Sequence, residues 1–354
     1  MSDVEISTKV TRHYTEKYSC PLRDGKIISG VFPKGVTGKT QYGDGIRALV
    51  IALGTTGMVS IDRTHQLLQG LLGVPISTGT VAEMISRFGS TVAPAVQEIK
   101  KALSASPAVN CDETGVRVNG STCWVHTACN EQYTYLSLQP RRGVDGMKEA
   151  GFLPFYKGIA VHDCLRSYWS FPELEHGLCG AHLLRELQGI TDNAPEAAWA
   201  KSMQKLLLEM NHCRNEAVSN GRTELAQDKI ASFHRRYSTI LGKARQKNPV
   251  SRPPKGRCRK GRQQALIDRL TQHKSEVLRF FSNLLAPFTN NLAEQSIRMM
   301  KVKMKVIGCL RTFSGGDNFA NVMSYLHTAM KHKIPAYTAI LNALAGNATA
   351  MIFA

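Results

Sequence analysis

Short β-rich runs and tight turns follow one another between Pro107 and Asp163, and they decide which folds are open to this chain. Three runs rich in β-branched and aromatic residues are separated by Asn119-Gly120 and by residues 130–132. Asn-Gly between two such runs is a strong signal for a two-residue hairpin turn. The pattern predicts a three-strand antiparallel meander with Asp112 inside its first strand.

A second acid ends a strand further along the same segment. After a predicted helix near residues 144–150, the apolar run 158–162 is typical of a strand buried on both faces, and Asp163 closes it. Two acids on neighbouring buried strands repel each other unless a cation lies between them. Carboxylate oxygens suit Mg²⁺ or Mn²⁺, and pairs of such ions about 3.5–4 Å apart catalyse phosphoryl transfer. The pattern alone also allows structural roles, with Asp112 at a turn or edge and Asp163 as a helix N-cap.

Four short motifs occur in order along the chain: Cys-Asp-Glu-Thr-Gly (111–115), Val-His-Asp-Cys-x-x-x-Tyr (161–168), Cys-Gly-Ala-His-Leu-x-Arg-Glu-Leu (179–187) and Asn-Asn-x-Ala-Glu-Gln-x-Ile-Arg (290–298). With these motifs, the sequence from about Ala48 onward resembles the catalytic region of the insertion-sequence-66 family of bacterial transposases. The resemblance implies an RNase H-like fold and an Asp-Asp-Glu site for two Mg²⁺ (or Mn²⁺) ions. On this chain the three ligands are Asp112, Asp163 and Glu294.

The expected fold class is α/β: an RNase H-like mixed sheet core with a large all-helical insertion and a helical N-terminal region. The predicted parts are a short N-terminal segment (1–47), a helical, helix-turn-helix-like region (48–105), the first part of the core (106–189), the insertion with a basic loop (190–286) and the C-terminal helices of the core (287–354). In the resembling family a zinc ribbon precedes the catalytic region, and Tyr18-Ser-Cys20 is similar to its end. No second cysteine follows at two-residue spacing, so no zinc site is predicted there. We expect a shortened member, or the product of a split or truncated gene.

Four helices are predicted before the sheet, over residues 45–53, 61–72, 80–88 and 92–104. A break containing Gly73 joins the second helix to the third, which is the layout of a helix-turn-helix. An ordinary helical hairpin packed on the core fits the same pattern, because Arg87 is the only basic residue between positions 80 and 88. The pattern therefore leaves both DNA reading and simple packing open.

Residues 175–179 predict a fifth strand, after which Cys179-x-x-His182 opens a helix. Two ligands at this spacing do not make a zinc site, and the resemblance favours a structural role for Cys179 and His182 in orienting that helix. Three long helices are predicted over residues 195–219, 223–247 and 262–285. The last two flank a loop rich in Pro, Gly and basic residues, in which Arg257, Arg259 and Lys260 either contact the DNA backbone or lie in a solvated linker.

Glu294 has two interpretations. Asn291-Leu-Ala-Glu294 has the spacing of a capping box, in which the glutamate stabilises a helix start. Alternatively, Glu294 heads a basic stripe, because Arg298, Lys301 and Lys305 follow at steps of four, three and four and so share its helix face. A metal ligand followed by phosphate contacts suits a helix that meets DNA, and the resemblance implies this role. A loop over residues 308–316 and helices over 319–333 and 335–344 are predicted to follow.

Composition narrows the class of partner. The net charge of +18 points to a polyanion, most plausibly nucleic acid. The nine scattered cysteines favour reduced thiols in a cytosolic protein, and no apolar run reaches the roughly 18 residues of a membrane span.

The leading interpretation is a DNA transposase of the bacterial cytoplasm, associated with the nucleoid. It would cleave element ends and join them to target double-stranded DNA, as a homo-oligomer and with or without accessory proteins of the same element. The alternatives are a catalytically inactive remnant that still binds DNA and an RNase H-like metal-dependent nuclease without strand transfer.

Overall fold

The computed structural model describes residues 1, 3, 7–19, 25–249 and 261–353. The strands are β1 (Lys17–Ser19), β2 (Ile27–Ser29), β3 (Ala108–Val118), β4 (Ser121–Cys129), β5 (Thr134–Gln139), β6 (Ile159–His162) and β7 (Glu175–Leu178). The helices before and within the sheet region are α1 (Asp44–Gly54), α2 (Ile61–Leu72), α3 (Thr78–Ser104), α4 (Val144–Glu149) and α5 (Gly180–Asn193). The later helices are α6 (Ala198–Ser219), α7 (Gln227–Lys247), α8 (Arg262–Gln272), α9 (Lys274–Val277), α10 (Arg279–Ser282), α11 (Asn291–Ile307), α12 (Phe313–Lys331), α13 (Ala336–Leu344) and α14 (Ala348–Phe353).

Five strands form one mixed sheet in the order β5-β4-β3-β6-β7, and β1 pairs with β2 in a separate hairpin. β3, β4 and β5 pair antiparallel, β6 runs parallel to β3, and β7 runs parallel to β6. Asn119 and Gly120 have positive φ angles of 46° and 76°, as a two-residue hairpin turn requires. The predicted meander, its hairpin turn and the two buried strands that follow are therefore confirmed.

Helices cover both faces of the sheet. On one face, Cys111 and Ala160 pack in a cluster with α3, α12 and α13. On the other face, Val116 packs against α11, and Val161 packs against α5 and α6. We call these the α3 face and the α11 face. Because side chains alternate along a strand, neighbouring residues of β3 point to different faces.

The helices between β7 and α11 pack in one hydrophobic cluster, which also contains Ile159, Val161 and Leu178 of the sheet. The predicted apolar positions of α6 are all buried in it: Trp199, Met203, Leu206, Leu207 and Met210. The third helix predicted for this region is divided into α8, α9 and α10, with breaks at His273 and Leu278. At the first break, the ring of His273 stacks on Trp169 with 4.2 Å between ring centroids. This contact comes from outside the helical region, so local periodicity carried no sign of it.

Two further helix boundaries differ from the predictions. The helices predicted over 80–88 and 92–104 form the single helix α3. A Cβ atom at Gly89 would lie 2.7 Å from the carbonyl oxygen of Asn318 in α12, so this glycine marks a close helix crossing and not a break. The loop predicted over 308–316 ends early, because Thr312 caps α12 by accepting a hydrogen bond from the Gly315 amide at 3.0 Å.

α2 and α3 have the helix–turn–helix order that the sequence predicted, with Gly73 at a φ of 61° between them. Arg87 pairs with Glu83 at 2.6 Å, and the second half of α3 is buried in the core. Whether this segment reads DNA stays a prediction, as does the division of the chain into five parts. Among the described residues, no helix has both the length and the apolar character needed to cross a membrane.

Candidate metal centre and nucleic-acid interface

Asp112 and Asp163 lie at corresponding places on neighbouring parallel strands. Asn110 of β3 pairs with Val161 of β6. Continuing this register by two residues sets Asp112 beside Asp163, which follows directly after β6. Residues that correspond in a parallel pair point to the same face, and here it is the α11 face. The register therefore favours placing both acids on one side of the sheet, and the charge of Asp163 acts on Asp112 and also on Glu113.

The surroundings of Asp112 disfavour a bare negative charge. Burial raises the pKa of Asp112 to about 6, and the charges of Asp163 and Glu294 act in the same direction. The Glu113 amide, which donates to Asp112 Oδ1 at 2.8 Å, and the Lys301 ammonium oppose this effect. A cation among these carboxylates would relieve both the burial and the repulsion.

The next residue, Glu113, points to the α3 face and is fully bonded there. Its Oε1 accepts hydrogen bonds from Nε and Nη2 of Arg142 at 3.1 and 2.9 Å, and its Oε2 accepts one from the Tyr168 hydroxyl at 3.0 Å. Burial and the charges of Asp163 and Asp112 raise the pKa of Glu113, whereas Arg142 and Tyr168 oppose this rise. Arg142 also lies over the Trp124 ring, 4.8 Å from its centroid. This closed arrangement connects β3 to the 3₁₀ helix that follows Asp163.

Two asparagines fix the start of α11 against β3. The Asn290 side chain donates to the Cys111 carbonyl at 2.7 Å, and the Asn110 side chain donates to the Thr289 carbonyl at 2.9 Å. The backbone amide of Asn290 donates to Sγ of Cys179 at 3.2 Å. The first turn of α11 is thereby held beside the end of β7 and close to Asp112.

Glu294 lies in this first turn but does not close a capping box. The helix begins at Asn291, and its N-cap, Asn290, makes no side-chain capping bond. Oε1 of Glu294 instead lies 3.4 Å from Nη2 of Arg185 and 3.6 Å from Nδ1 of His182, both on α5. The capping-box interpretation is therefore wrong, because the carboxylate turns toward α5.

The potential metal ligands that converge are not the three carboxylates that the resemblance implied. Cys179, His182 and Glu294 each offer one atom, and these atoms lie within 4.8 Å of one another. Within the described ranges no other set of three such side chains meets this distance, so Asp112, Asp163 and Glu294 do not form one as their side chains stand.

A cavity of about 290 Å³ connects Asp163 with the Cys179–His182 pair. Burial raises the pKa of the Cys179 thiol, but the neighbouring His182 ring and Asn290 amide outweigh it and hold the pKa below its ordinary value. The structure thus brings Cys179 and His182 together at the start of α5, next to Glu294.

The family model described as Transposase IS66 family matches residues 39–318 of the 354-residue chain. The chain belongs to this family. The assignment that the four motifs suggested is confirmed, and with it the class of protein, a transposase of insertion sequences. No curated protein sequence matches the chain.

In this IS66-family chain, the predicted basic stripe lies on the surface of α11. Arg298, Lys301 and Lys305 are exposed. Lys303, between them in sequence, is buried, and its ammonium donates to the Gly54 carbonyl at 2.7 Å. Burial lowers the pKa of Lys303 to about 8. α11 therefore presents positive charge on one side and is anchored to the end of α1 on another.

The loop residues Arg257, Arg259 and Lys260, which the sequence offered as backbone contacts, lie outside the described residues. Their role in DNA binding stays a prediction. Of the basic residues predicted to contact DNA, those of the α11 stripe lie within the described residues.

Three residues that shape the site were not singled out by the sequence reasoning. Asn110 and Asn290 hold α11 on β3, and Arg185 binds Glu294. Asn290 and Arg185 stand inside the motifs of the IS66 resemblance, at 290–298 and 179–187. Their presence in those motifs was the available signal. Asn110 had none, because its partner is the carbonyl of Thr289, far along the chain.

Proposed function

We propose that this IS66-family transposase cuts the ends of its element in a metal-dependent reaction and joins the freed 3′ ends to target DNA. The proposal is supported by the parallel pairing of β3 with β6, whose register, continued by two residues, brings Asp112 beside Asp163, and by the pKa of Asp112, which is raised to about 6. A meander beside two parallel strands supports the RNase H-like assignment that the resemblance implies.

The residues present fit a pair of Mg²⁺ or Mn²⁺ ions. The donors are carboxylate oxygens, which these ions prefer, and the crowding of negative charge around Asp112 favours cation binding. Asp112 and Asp163 would hold the ions, and Glu294 would join them by turning from Arg185 toward Asp112. When bound, two such ions stabilise both the attacking and the leaving oxygen of an in-line displacement.

The chain's own residues position the reacting groups. Asn110 and Asn290 hold the first turn of α11 on β3, so Glu294 stays within reach of Asp112. Arg298, Lys301 and Lys305 continue from this turn along one exposed helix face, where they would follow a phosphate backbone and set its register. The proposed setting is the bacterial cytoplasm at the nucleoid, with the chain acting as a homo-oligomer on double-stranded DNA.

A cleavage and joining assay on labelled element-end DNA tests the proposal, in Mg²⁺ or Mn²⁺ and in EDTA. We expect the wild type to nick the ends and form joined products only with metal. Glu294→Gln should lower cleavage at least about 10²-fold, the size of effect expected when one electrostatic contact to a reacting group is lost. Glu186→Gln is the matched control, because Glu186 lines the same cavity but pairs with Arg269.

Each alternative function has its own outcome in this assay. DNA binding without any metal-dependent cleavage identifies an inactive remnant. Cleavage without joined products identifies a nuclease. Near-normal cleavage by Glu294→Gln means that the third carboxylate ligand must be sought elsewhere.

A further inference from the structure

We infer that Cys179, His182 and Glu294 form a thiolate-containing Zn²⁺ site that competes with the Asp112–Asp163 pair for Glu294. The Zn²⁺ site itself is argued from geometry and ligand chemistry alone. Its predicted effect on activity rests on the proposed function. In the sequence only two ligands were visible, Cys179 and His182. The fold supplies the third from α11, more than a hundred residues later.

The distances suit one small ion. Tetrahedral Zn²⁺ with bonds of about 2.0–2.3 Å sets its ligand atoms roughly 3.5 Å apart. Nδ1 of His182 and Oε1 of Glu294 are already 3.6 Å apart, and the Cys179 sulfur is within 4.8 Å of both ligand groups. Small side-chain movements would therefore close the site. Nδ1 of His182 is also buried, and in the described part of the chain no hydrogen bond of normal geometry reaches it although the Cys179 side chain is its neighbour, so a metal bond would satisfy it.

The ligand set selects Zn²⁺ over the ions expected at the carboxylate pair. Thiolate and imidazole are the ligands of Zn²⁺, whereas Mg²⁺ and Mn²⁺ favour oxygen. Three protein ligands leave a fourth position for water, as in other three-ligand Zn²⁺ sites. The cavity of about 290 Å³, lined by Asp163, Cys164 and His182 among others, provides a path for the ion.

Arg185 gives Glu294 a partner when no metal is bound. Its guanidinium lies 3.4 Å from Oε1 of Glu294 and 3.5 Å from Nε2 of His182, so it opposes a cation between them. The Arg185 side chain is 62% exposed and has room to turn into solvent. Glu294 then has three alternative partners: Arg185, Zn²⁺ with Cys179 and His182, or the ions of the Asp112–Asp163 pair. Because Zn²⁺ would hold the Glu294 carboxylate toward Cys179 and His182, Zn²⁺ there should inhibit Mg²⁺-dependent cleavage.

Co²⁺ binding to the full chain without DNA tests the site directly, because Co²⁺ replaces Zn²⁺ and gives a thiolate charge-transfer band. We expect the wild type to show this band with one bound ion. Cys179→Ser, which keeps an acceptor for the Asn290 amide, should lose it. Cys164→Ser is the matched control, since Cys164 lines the same cavity outside the ligand group, and it should keep the band. His182→Asn should weaken Co²⁺ binding at least about 10-fold and provides a second test if Cys179→Ser does not fold.

The competition is tested by adding Zn²⁺ to the cleavage assay at a fixed excess of Mg²⁺. For each variant, the rate with Zn²⁺ is divided by its own rate without Zn²⁺. We expect this ratio to fall at least about 10-fold for the wild type and for Cys164→Ser, and to stay near one for Cys179→Ser.

The outcomes that contradict the inference differ from those that contradict the proposed function. A Co²⁺ band that survives Cys179→Ser, or disappears with Cys164→Ser, overturns the site. Equal Zn²⁺ inhibition of all three proteins overturns the competition, because Zn²⁺ would then act elsewhere. A wild type that never cleaves DNA with Mg²⁺ overturns the proposed function and leaves the Co²⁺ result unaffected.

Discussion

Asp112 and Glu113 are neighbours in the chain, yet their carboxyl groups have opposite surroundings on the two faces of β3. The Glu113 side chain is 1% exposed, and both of its oxygens are bonded, by Arg142 and Tyr168. Asp112 accepts a backbone hydrogen bond from the Glu113 amide and faces the charges of Asp163 and Glu294, which the Lys301 ammonium partly offsets. The charge of Asp163 acts on both carboxyl groups, and of the two it is Glu113 that is paired with a guanidinium and a hydroxyl.

The contrast teaches which buried acids are candidates for chemistry. Burial alone raises the pKa of both groups, so a raised pKa does not separate them. The hydrogen-bonded partners separate them. A carboxylate bonded to a guanidinium and a hydroxyl has its charge compensated, whereas one that faces other carboxylates favours the binding of a metal ion. On this basis we assign Glu113 to the structure and Asp112 to the proposed reaction.

Replacing each acid by its amide should give the largest difference in cleavage rate between a variant of the α11 face and one of the α3 face. Asp112→Asn should lower metal-dependent cleavage at least about 10³-fold, comparable to the loss of an arginine that stabilises a transferred phosphate. Glu113→Gln should keep cleavage within about 10-fold of the wild type, because its amide oxygen still accepts from Arg142. The measurement is single-turnover cleavage of labelled DNA. Equal losses for the two variants would remove the distinction.

For the free energy of unfolding we expect the opposite order, with the larger loss in the variant of Glu113. Glu113→Ala leaves the Tyr168 hydroxyl and the Arg142 guanidinium without their acceptor, and breaking such a buried pair costs about 3–5 kcal/mol. Because Arg142 is nearly half exposed and solvent screens its charge, we expect a smaller loss than this range, about 2–3 kcal/mol, from urea unfolding. Asp112→Asn, measured in EDTA, should not destabilise the protein, because it removes repulsion. A loss of stability in Asp112→Asn larger than in Glu113→Ala would contradict the comparison.

The pH dependence of stability sharpens the same comparison. The folded-state pKa of Asp112, about 6, is above its ordinary value of 3.8. The folded protein therefore holds this proton more tightly, so the resulting stability is fully present below pH about 4 and is lost as the pH rises through 6. In EDTA we expect Asp112 to account for a fall of about 2 kcal/mol in the free energy of unfolding between pH 4 and 7. The difference between the wild-type and Asp112→Asn curves measures it, and parallel curves would refute it.

Local patterns in the sequence predicted the sheet well. Asn119-Gly120 specified a hairpin, alternating and apolar runs specified the strands, and the four motifs specified the family. These signals are local because turn geometry and strand burial depend on neighbouring residues. The same reasoning divided α3 into two helices, over 80–88 and 92–104, because the close crossing of Gly89 with the Asn318 backbone of α12 is not visible in the local sequence.

The candidate site was predictable only in part, for a related reason. The sequence marked Asp112, Asp163 and Glu294, but not which side chains surround them. The turn of Glu294 toward Arg185 and His182 depends on how α5 lies beside α11, and Asn290 fixes that arrangement through contacts with distant residues. Spacing within one helix allowed a capping box equally well. Tertiary contacts excluded the capping box, and they carry no pattern in the local sequence.

The smallest effect per residue, on DNA affinity, is expected for the exposed basic side chains of α11. If α11 follows a phosphate backbone, changing Arg298, Lys301 and Lys305 together to Gln should weaken binding to any DNA sequence. Each phosphate contact contributes about 0.9 to the slope of log K against log salt, so the slope should fall by up to about 2.7 for the three residues.

A control variant on the α3 face tests whether the change in the salt slope of DNA binding is specific to α11. Lys101 of α3 and Lys148 of α4 are exposed on helices of that face, so Lys101→Gln with Lys148→Gln removes positive charge away from Asp112. If DNA binds along α11, this control should leave the salt slope within about 0.5 of the wild type, because charges without a phosphate contact release no counterions. Fluorescence anisotropy over a range of salt concentrations gives both slopes. A larger change in the control than in the α11 variant would place the DNA on the α3 face, far from the acids that are proposed to act on it.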